Sequence, residues 1–364
     1  MRLLLTSLLL VQPILAPDAY ATGLNFWESS SLNSSLASAN GAIGNDASVL
    51  ALAASSMSHL SKPTISASVT YYEVTTDYSI FGNETQYNTA NPIPMGFYVT
   101  PVNENLSFGL GIYSRTAADI SVPSIVLVHP NETRVTPITV SVSPSISYKI
   151  GDISLGASLE YIHAQYALEQ TSCFFALCDT TRQEDTTHGW SGAISGTWVI
   201  NSFASIALAH RLSTQFGDGN IDIDLPAITS LYSSIAFSQS ITWHSTYSYT
   251  QWNDKGITYT DYDDVIGLLI GSQDSQRLAT SLEYRLGNWS FRGGVSFDEA
   301  IDQFGGIDKR YRLGVGYVIN ENLELNLAIV NENYAKKEAV VDTTTLVKVQ
   351  NSGNAYSLGA SYKF

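Results

Sequence analysis

Beyond Pro63 the chain alternates. Leu106, Phe108, Leu110 and Ile112 are interleaved with Ser107, Gly109 and Gly111. Ile153, Leu155, Ala157, Leu159 and Tyr161 are interleaved with Ser154, Gly156, Ser158 and Glu160, and Leu323, Leu325, Leu327 and Ile329 with Glu324, Asn326 and Ala328. The final residues put Tyr356, Leu358, Ala360, Tyr362 and Phe364 on one side. Successive side chains of a strand point to opposite faces, so each run reads as a strand with one apolar face. About fourteen such runs follow one another.

The joints between runs come in two kinds. Short turns fall at Asn103-Glu104, Gly151-Asp152, Asn201-Ser202, Ser238 to Ser240, Gly287-Asn288 and Asn320-Glu321. Longer connections run roughly over 76–92, 118–133, 168–187, 215–227, 255–274, 299–308 and 336–351. Six turns and seven loops make thirteen connections, hence fourteen strands. Short turns on one side and long loops on the other is the pattern of an outer-membrane barrel. Both termini then fall on the periplasmic side.

No stretch reaches the roughly 18 to 20 apolar residues of a spanning helix. Yet 44% of residues are hydrophobic, 21 are tyrosine and only 14% are charged. This suits an all-β fold, a transmembrane antiparallel barrel, with a soluble secreted β-protein as the competing reading. In lipid every backbone donor needs a partner, so the sheet must close on itself.

The chain divides into three parts. Residues 1–21 form a Sec signal peptide, from the basic start at Arg2 through the apolar run to Leu10 and the small-x-small site Ala19-Tyr20-Ala21, with cleavage expected after Ala21. Residues 63–364 are the barrel. Between them, residues 22–62 are rich in Ser, Ala, Asn and Gly but carry Leu24, Phe26, Trp27, Ile43, Val49, Leu50, Leu52, Met57 and Leu60. That is too much apolar surface to leave in water. The segment reads as a compact plug for the barrel lumen.

Particular residues in this plug carry a resemblance: Gly23-Leu24, Glu28-Ser29-Ser30-Ser31, Gly41-Ala42-Ile43, Asn45-Asp46-Ala47-Ser48 and Lys62-Pro63. Leu225-Pro226-Ala227, Trp289 to Glu299 and Arg310 to Gly316 extend it thinly. On these the chain resembles the outer-membrane long-chain fatty acid transporter family, which includes aromatic hydrocarbon transporters. The resemblance implies a fourteen-stranded barrel with an N-terminal hatch, in the outer membrane of a Gram-negative bacterium. It implies passive uptake of a hydrophobic ligand, long-chain fatty acids foremost, with neutral alkanes or aromatic hydrocarbons as the alternative. A porin or a structural surface barrel is the rival from outside the family. Leu24, Phe26 and Trp27 become candidate ligand contacts, and Glu28, Asn45 and Asp46 hatch residues. The strand bearing Gly109 and Gly111 corresponds to one that kinks inward to open a lateral exit. The C-terminal Phe364 is what the barrel-assembly machinery would read. Two departures stand out. Ala53-Ala54-Ser55 replaces the family's Asn-Pro-Ala, and the family's Gly-x-Gly-Arg run falls near Asn33 to Leu36 with no arginine.

Alternation also assigns the inner face. If Leu278, Leu282 and Tyr284 face lipid, then Arg277, Glu283 and Arg285 face inward; the same reasoning turns Arg292, Arg310, Arg312, Arg211 and Glu160 inward. A charge on the lipid face at the midplane costs about 2–4 kcal/mol. Arg277, Arg285, Arg292, Arg310 and Arg312 are candidates for a ligand carboxylate, through the arginine fork. Alternatively they pair with Glu283, Glu324, Asp46 or Glu28 and hold the plug.

Cys173 and Cys178, in an exported chain, are expected to form a local disulfide. Between them Phe174, Phe175 and Leu177 form an apolar loop tip, a candidate capture surface. Asp218, Asn220, Asp222 and Asp224 begin like a calcium loop, but Ile223 and Thr229 stand where glycine and glutamate belong. That loop and Asp261, Asp263 and Asp264 read as solvated surface, with contact to the divalent cations that bridge lipopolysaccharide as the alternative, and no dedicated metal site or cofactor is expected. The formal net charge of −15 argues against nucleic acid as a partner. There is no Gly-x-Ser-x-Gly elbow and no His-Glu-x-x-His, so catalysis is not expected. The barrel is expected to be a monomer embedded in outer-membrane lipid.

Overall fold

The structure, a computed structural model, describes residues 25–116, 120–124, 131–174, 177–214, 216, 221–253, 256–259, 273–301, 305–341 and 345–364. Fourteen antiparallel strands form a closed wall. Closure is made by the first strand, Thr64–Ile80, pairing with the last, Thr345–Lys363, from Thr64↔Lys363 to Ile80↔Val347. Every other wall strand pairs with its neighbours in chain order. Closing the sheet on itself lets most of the backbone be satisfied within lipid, the exception being one side of the strand Asn83–Pro101, which is paired to the strand Leu106–Tyr113 only over Gly96–Pro101.

The alternation holds throughout. Leu155, Leu159, Leu313 and Leu358 point outward and are more than half exposed, as lipid-facing residues are when no lipid is counted. Between them Ser141, Ser143, Ser147, Ser154 and Thr139 point inward and are buried. Trp198, Phe203, Phe237, Trp289 and Phe364 are exposed on the outer surface near the short turns, and Tyr71, Trp190, Tyr311 and Tyr356 lie further along the strands. These are the aromatic girdles of a membrane barrel.

All six short turns lie where expected. Three of the expected long loops are paired hairpins: in 336–351, Lys337–Val341 pairs with the start of the last strand from Lys337↔Val349 to Val341↔Thr345. Thr64–Ile80 and Asn83–Pro101 stay paired up to Ile80↔Asn83, and Ile153–Phe174 and Leu177–Asn201 up to Phe174↔Leu177. Regions 76–92 and 168–187 are therefore hairpin ribbons that extend the wall, the first with Thr76–Ile80 also paired to the last strand, the second two-stranded at its end from Ser172↔Asp179 to Phe174↔Leu177. Polar residues on both faces, as in Glu84 to Asn88 and Thr180 to Thr187, erase the apolar period without preventing pairing. The first ribbon closes on Phe81-Gly82, both at positive φ (52° and 81°), as a tight turn matched to strand twist requires. Cys173 and Cys178 face each other across the second ribbon and are joined by a disulfide. Among the other connections, Ile221–Asp224 and Gly256–Tyr259 pair as a small separate sheet. The acidic positions 218, 261, 263 and 264, and the signal region 1–21, lie outside the described residues.

The segment from Asn25 to Ser61 is folded inside this wall. Ser30 caps a one-and-a-half-turn helix, Ser31–Ser35, accepting the Asn33 N–H at 3.0 Å. Asp46 caps the 3-10 turn Ala47–Ala51 through the Ser48 N–H at 2.9 Å. A second 3-10 helix spans Ala54–His59. Leu50, Met57 and Ala54 share an apolar core with inward-facing Ile93, Met95, Phe97 and Val99 of the wall.

Candidate ligand-binding site

Hydrogen bonds tie this N-terminal segment to the wall on all sides. The Ser55 N–H donates to Ser195 Oγ at 2.9 Å, and Ser147 Oγ donates to the Ser55 carbonyl at 3.0 Å. Opposite, Arg277 and Ser281 donate to the carbonyls of Ala37 and Leu36, each at 2.8 Å. The Ala47 N–H reaches Ser66 Oγ at 3.1 Å. The Ser55 hydroxyl adds a bond of its own to Thr197 Oγ1 at 2.7 Å, so the Ala53-Ala54-Ser55 turn is held through both backbone and side chain. Small residues in the wall make the approach possible. A Cβ on Gly109 would lie 2.5 Å from Leu50 Cδ1 and 2.6 Å from Met57 Sδ.

The arginines of the three strands Ser275–Leu286, Trp289–Glu299 and Ile307–Val318 are consumed by acids. Arg277 meets Asp298 at 2.8 Å, Arg310 meets Asp298 at 3.2 Å and Glu332 at 2.7 Å, and Arg312 meets Glu28 at 2.8 Å. Three guanidinium groups thus face three carboxylates, Asp298, Glu332 and Glu28. Arg292 pairs with Glu283 at 2.8 Å and Glu324 at 3.0 Å; Arg285 also pairs with Glu283 at 2.8 Å but is half exposed. Trp27 lies over Arg277, 4.5 Å from ring centre to guanidinium carbon. Asp46 pairs with none of these; it caps its own turn.

One cluster does not balance. Arg115 and Arg211 share a single carboxylate, Glu160, at 3.1 Å each, and Tyr113 donates its hydroxyl to the same acid. Among the described residues no second acid pairs with either arginine. The excess positive charge lines a cavity of about 60 Å³ together with Phe26, Trp27, Leu50, Tyr113 and Tyr232. That is room for a few waters and not for an acyl chain. A ligand of any length must displace part of the segment. Arg211 also donates to the Ala51 carbonyl at 2.8 Å, so the same side chain touches the cavity and the segment.

Beside the cavity the wall is interrupted. Strand Leu106–Tyr113 pairs with Asn83–Pro101 only over Gly96–Pro101. After Tyr113 the chain turns inward: Ser114, Arg115 and Thr116 are buried, Asn25 bridges to Thr116, and the Phe26 N–H donates to the Arg115 carbonyl at 2.9 Å. Gly109 and Gly111 are not the place of departure. Both remain paired on each side, opposite Val99 and Phe97 and opposite Ser145 and Ser143.

The remaining sequence candidates are scattered. Phe26 packs edge-on against Tyr72, with ring centres 5.6 Å apart. Asn45 is half buried in the segment. Leu177 is exposed at the ribbon tip and does not line the cavity. Leu24, Phe175 and the side chain of Phe174 lie outside the described residues. Arg115 and Tyr72 were not singled out from the sequence. The parity of Ser107, Gly109, Gly111 and Tyr113, all inward, carried on to Arg115 and was the available signal.

Residues 13–188 match the family described as "Outer membrane protein transport protein (OMPP1/FadL/TodX)". Among solved structures, a Pseudomonas aeruginosa FadL homologue superposes with a TM-score of 0.77 at 15% identity, over 94% of this chain and 100% of that one. The Pseudomonas putida toluene transporter TodX gives 0.73 at 12% identity, over 95% and 99%. The Ralstonia pickettii toluene transporter TbuX gives 0.69 at 14% identity, over 94% and 99%. Among curated proteins none matches the sequence significantly.

Proposed function

We propose that the chain is a member of the outer membrane protein transport family to which FadL and TodX belong, and that it takes up long-chain fatty acids, with the N-terminal segment as the hatch. The observation that carries this reading is the pairing of two arginines, the buried Arg115 and the partly buried Arg211, with one acid. An uncompensated buried charge costs several kcal/mol, and a ligand carboxylate would supply the missing anion. The apolar side chains Phe26, Trp27 and Leu50 around it suit an acyl chain. Arg277, Arg310 and Arg312 are better assigned to seating the segment, because their charges already cancel.

In this scheme a ligand arrives from the loop side, lodges above the segment, and displaces Phe26 and its neighbours. It then leaves through the interruption beside Tyr113 into the membrane. The interruption offers a sideways path, so the ligand need never enter the aqueous periplasm. After export, residues 1–21 are removed as a signal peptide.

Neutral hydrocarbons are the second reading, favoured by the likeness to two toluene transporters. The two readings separate at Arg211. Mass spectrometry of lipids retained by the detergent-extracted protein is the test, with Arg211→Met for comparison. This variant leaves Arg115 and Glu160 as a balanced pair. Fatty acids held by the native protein and depleted in the variant support the proposal. Neutral hydrocarbons held equally by both move the function to hydrocarbon uptake. No bound apolar species, with sugars passing through reconstituted protein, would identify a porin instead.

A further inference from the structure

Strand Asn83–Pro101 is bonded to Thr64–Ile80 from Asn83 to Val99. On its other side its pairing stops at Gly96, and from position 95 back to 83 it has no ladder partner among the described residues. Which backbone groups face that open side follows from parity. The Val102 N–H donates across to the Leu106 carbonyl at 2.8 Å, and hydrogen-bonding groups alternate between neighbours along an antiparallel strand. Even-numbered residues therefore face the opening. Next after Gly96 come position 94, then 92, and both are proline.

The consequence is specific to this edge. Gly96 pairs with Ile112. Continuing that register would set Pro94 opposite Ser114 and Pro92 opposite Thr116, each at a position where two residues exchange N–H···O bonds. Neither proline has an N–H to give. Opposite Pro92 the Thr116 carbonyl is turned to its other neighbour, accepting from the Thr139 N–H at 3.3 Å and from Ser114 Oγ at 2.8 Å. Both proline rings lie exposed on the outer face, so they are not placed there to fill the core. Inward, their neighbours Ile93 and Met95 join the apolar core with Leu50, Met57 and Phe26. Pro144 behaves differently. Its nitrogen faces the strand Ile153–Phe174, and there the register skips Ser143 and Pro144 while pairing resumes on both sides.

An unpaired N–H at an edge in hydrocarbon costs several kcal/mol and would drive the edge to zip shut. Proline removes both the cost and the means. We propose that Pro92 and Pro94 are positioning residues for lateral release, fixing the interruption as a permanent port for an apolar chain and leaving control of passage to the N-terminal segment. This rests on the uptake function proposed above.

The test is the Pro92→Val/Pro94→Val variant in phospholipid nanodiscs, with Pro144→Val as control. Hydrogen exchange of the peptide around 88–96 reads the edge, and release of a fluorescent long-chain fatty acid reads the port. The two new amides are expected to be protected and release slowed by about tenfold, the worth of one or two hydrogen bonds. The control should leave release unchanged. New amides that exchange freely would overturn the proposal, as would protected amides with undiminished release. If the double variant fails to fold, each single variant should show a part of both effects, and single variants with native exchange and native release would equally overturn it. Should the native protein bind no fatty acid, the uptake function fails, while the exchange result still decides whether the prolines hold the edge open.

Discussion

The Glu28 carboxylate meets the Arg312 guanidinium at 2.8 Å, joining the N-terminal segment to a wall strand 284 residues away in sequence. Both side chains are buried, and with Glu28 removed three arginines would face two acids. The pair therefore seats the segment rather than staples the sheet, whose strand-to-strand hydrogen bonds it does not touch. Glu28→Gln should loosen the segment by about 3 kcal/mol, the usual cost of orphaning a buried charge. Hydrogen exchange across 25–61 should rise while the wall strands keep native protection. Adding Arg312→Met should restore most of the loss. Uniform loss of protection in wall and segment alike would show that the pair holds the barrel instead.

Gly156 makes the closest approach to the segment's backbone. A Cβ there would lie 2.7 Å from Ser55 Cα and 2.6 Å from the Ala54 carbonyl carbon. Backbone cannot swing aside as a side-chain tip can. Gly156→Val should push the Ala54–His59 turn off the wall, break the Ser55 bonds to Ser195 and Ser147, and weaken seating by about 1–3 kcal/mol, as overpacking does. Gly96→Ala is the matched control, because nothing lies within 4 Å of its Cβ position. Hydrogen exchange across 54–61 reports the difference, and equal protection in both variants would remove Gly156 from the seating surface.

The disulfide closes only a few residues at the end of a ribbon that extends the wall. Chain entropy gives such a short loop about 2 kcal/mol, and only to the ribbon. Cys173→Ser/Cys178→Ser should increase protease cleavage within 168–187 and leave the thermal unfolding of the barrel unchanged. A drop in the barrel's own transition would mean that the ribbon is coupled to the wall.

How much of this could be read from the sequence depended on whether one face of an element met lipid. Where it did, as from Ile153 to Tyr161, alternation located the strand, its turn and its inward residues. Where both faces met water, as in Thr180 to Thr187, the same backbone pairing left no trace in polarity. The candidate site shows the same split. Arg277, Arg292, Arg310 and Arg312 follow inward from period two, and Glu283, Glu324 and Glu28, which pair with Arg292 and Arg312, are legible as their acids; Asp298 and Glu332, which take Arg277 and Arg310, come from neighbouring strands, and register across strands is not written in either one. Arg115 was overlooked because the strand leaves the sheet two residues before it. Pro92 and Pro94 sat inside a presumed loop, where proline draws no notice; only on a paired strand does a missing N–H acquire a direction.

Proton uptake should reach the segment through His59. Its Nδ1 accepts the Gly44 N–H at 3.2 Å, and burial, with a smaller contribution from the Lys149 charge, holds its pKa below the ordinary histidine value. A depressed histidine pKa means that the seated state favours the neutral ring, and a protonated Nδ1 could no longer accept. Above about pH 6.5 both seated and unseated rings are neutral and the bond is fully present. As pH falls below that value the unseated ring protonates first, so seating weakens until the seated ring protonates too. The segment should therefore exchange faster, relative to intrinsic rates, at pH 5.5 than at pH 7.5. His59→Asn, which keeps an acceptor without a titrating group, should abolish the difference. Identical pH dependence in native protein and variant would move the sensitivity to another group.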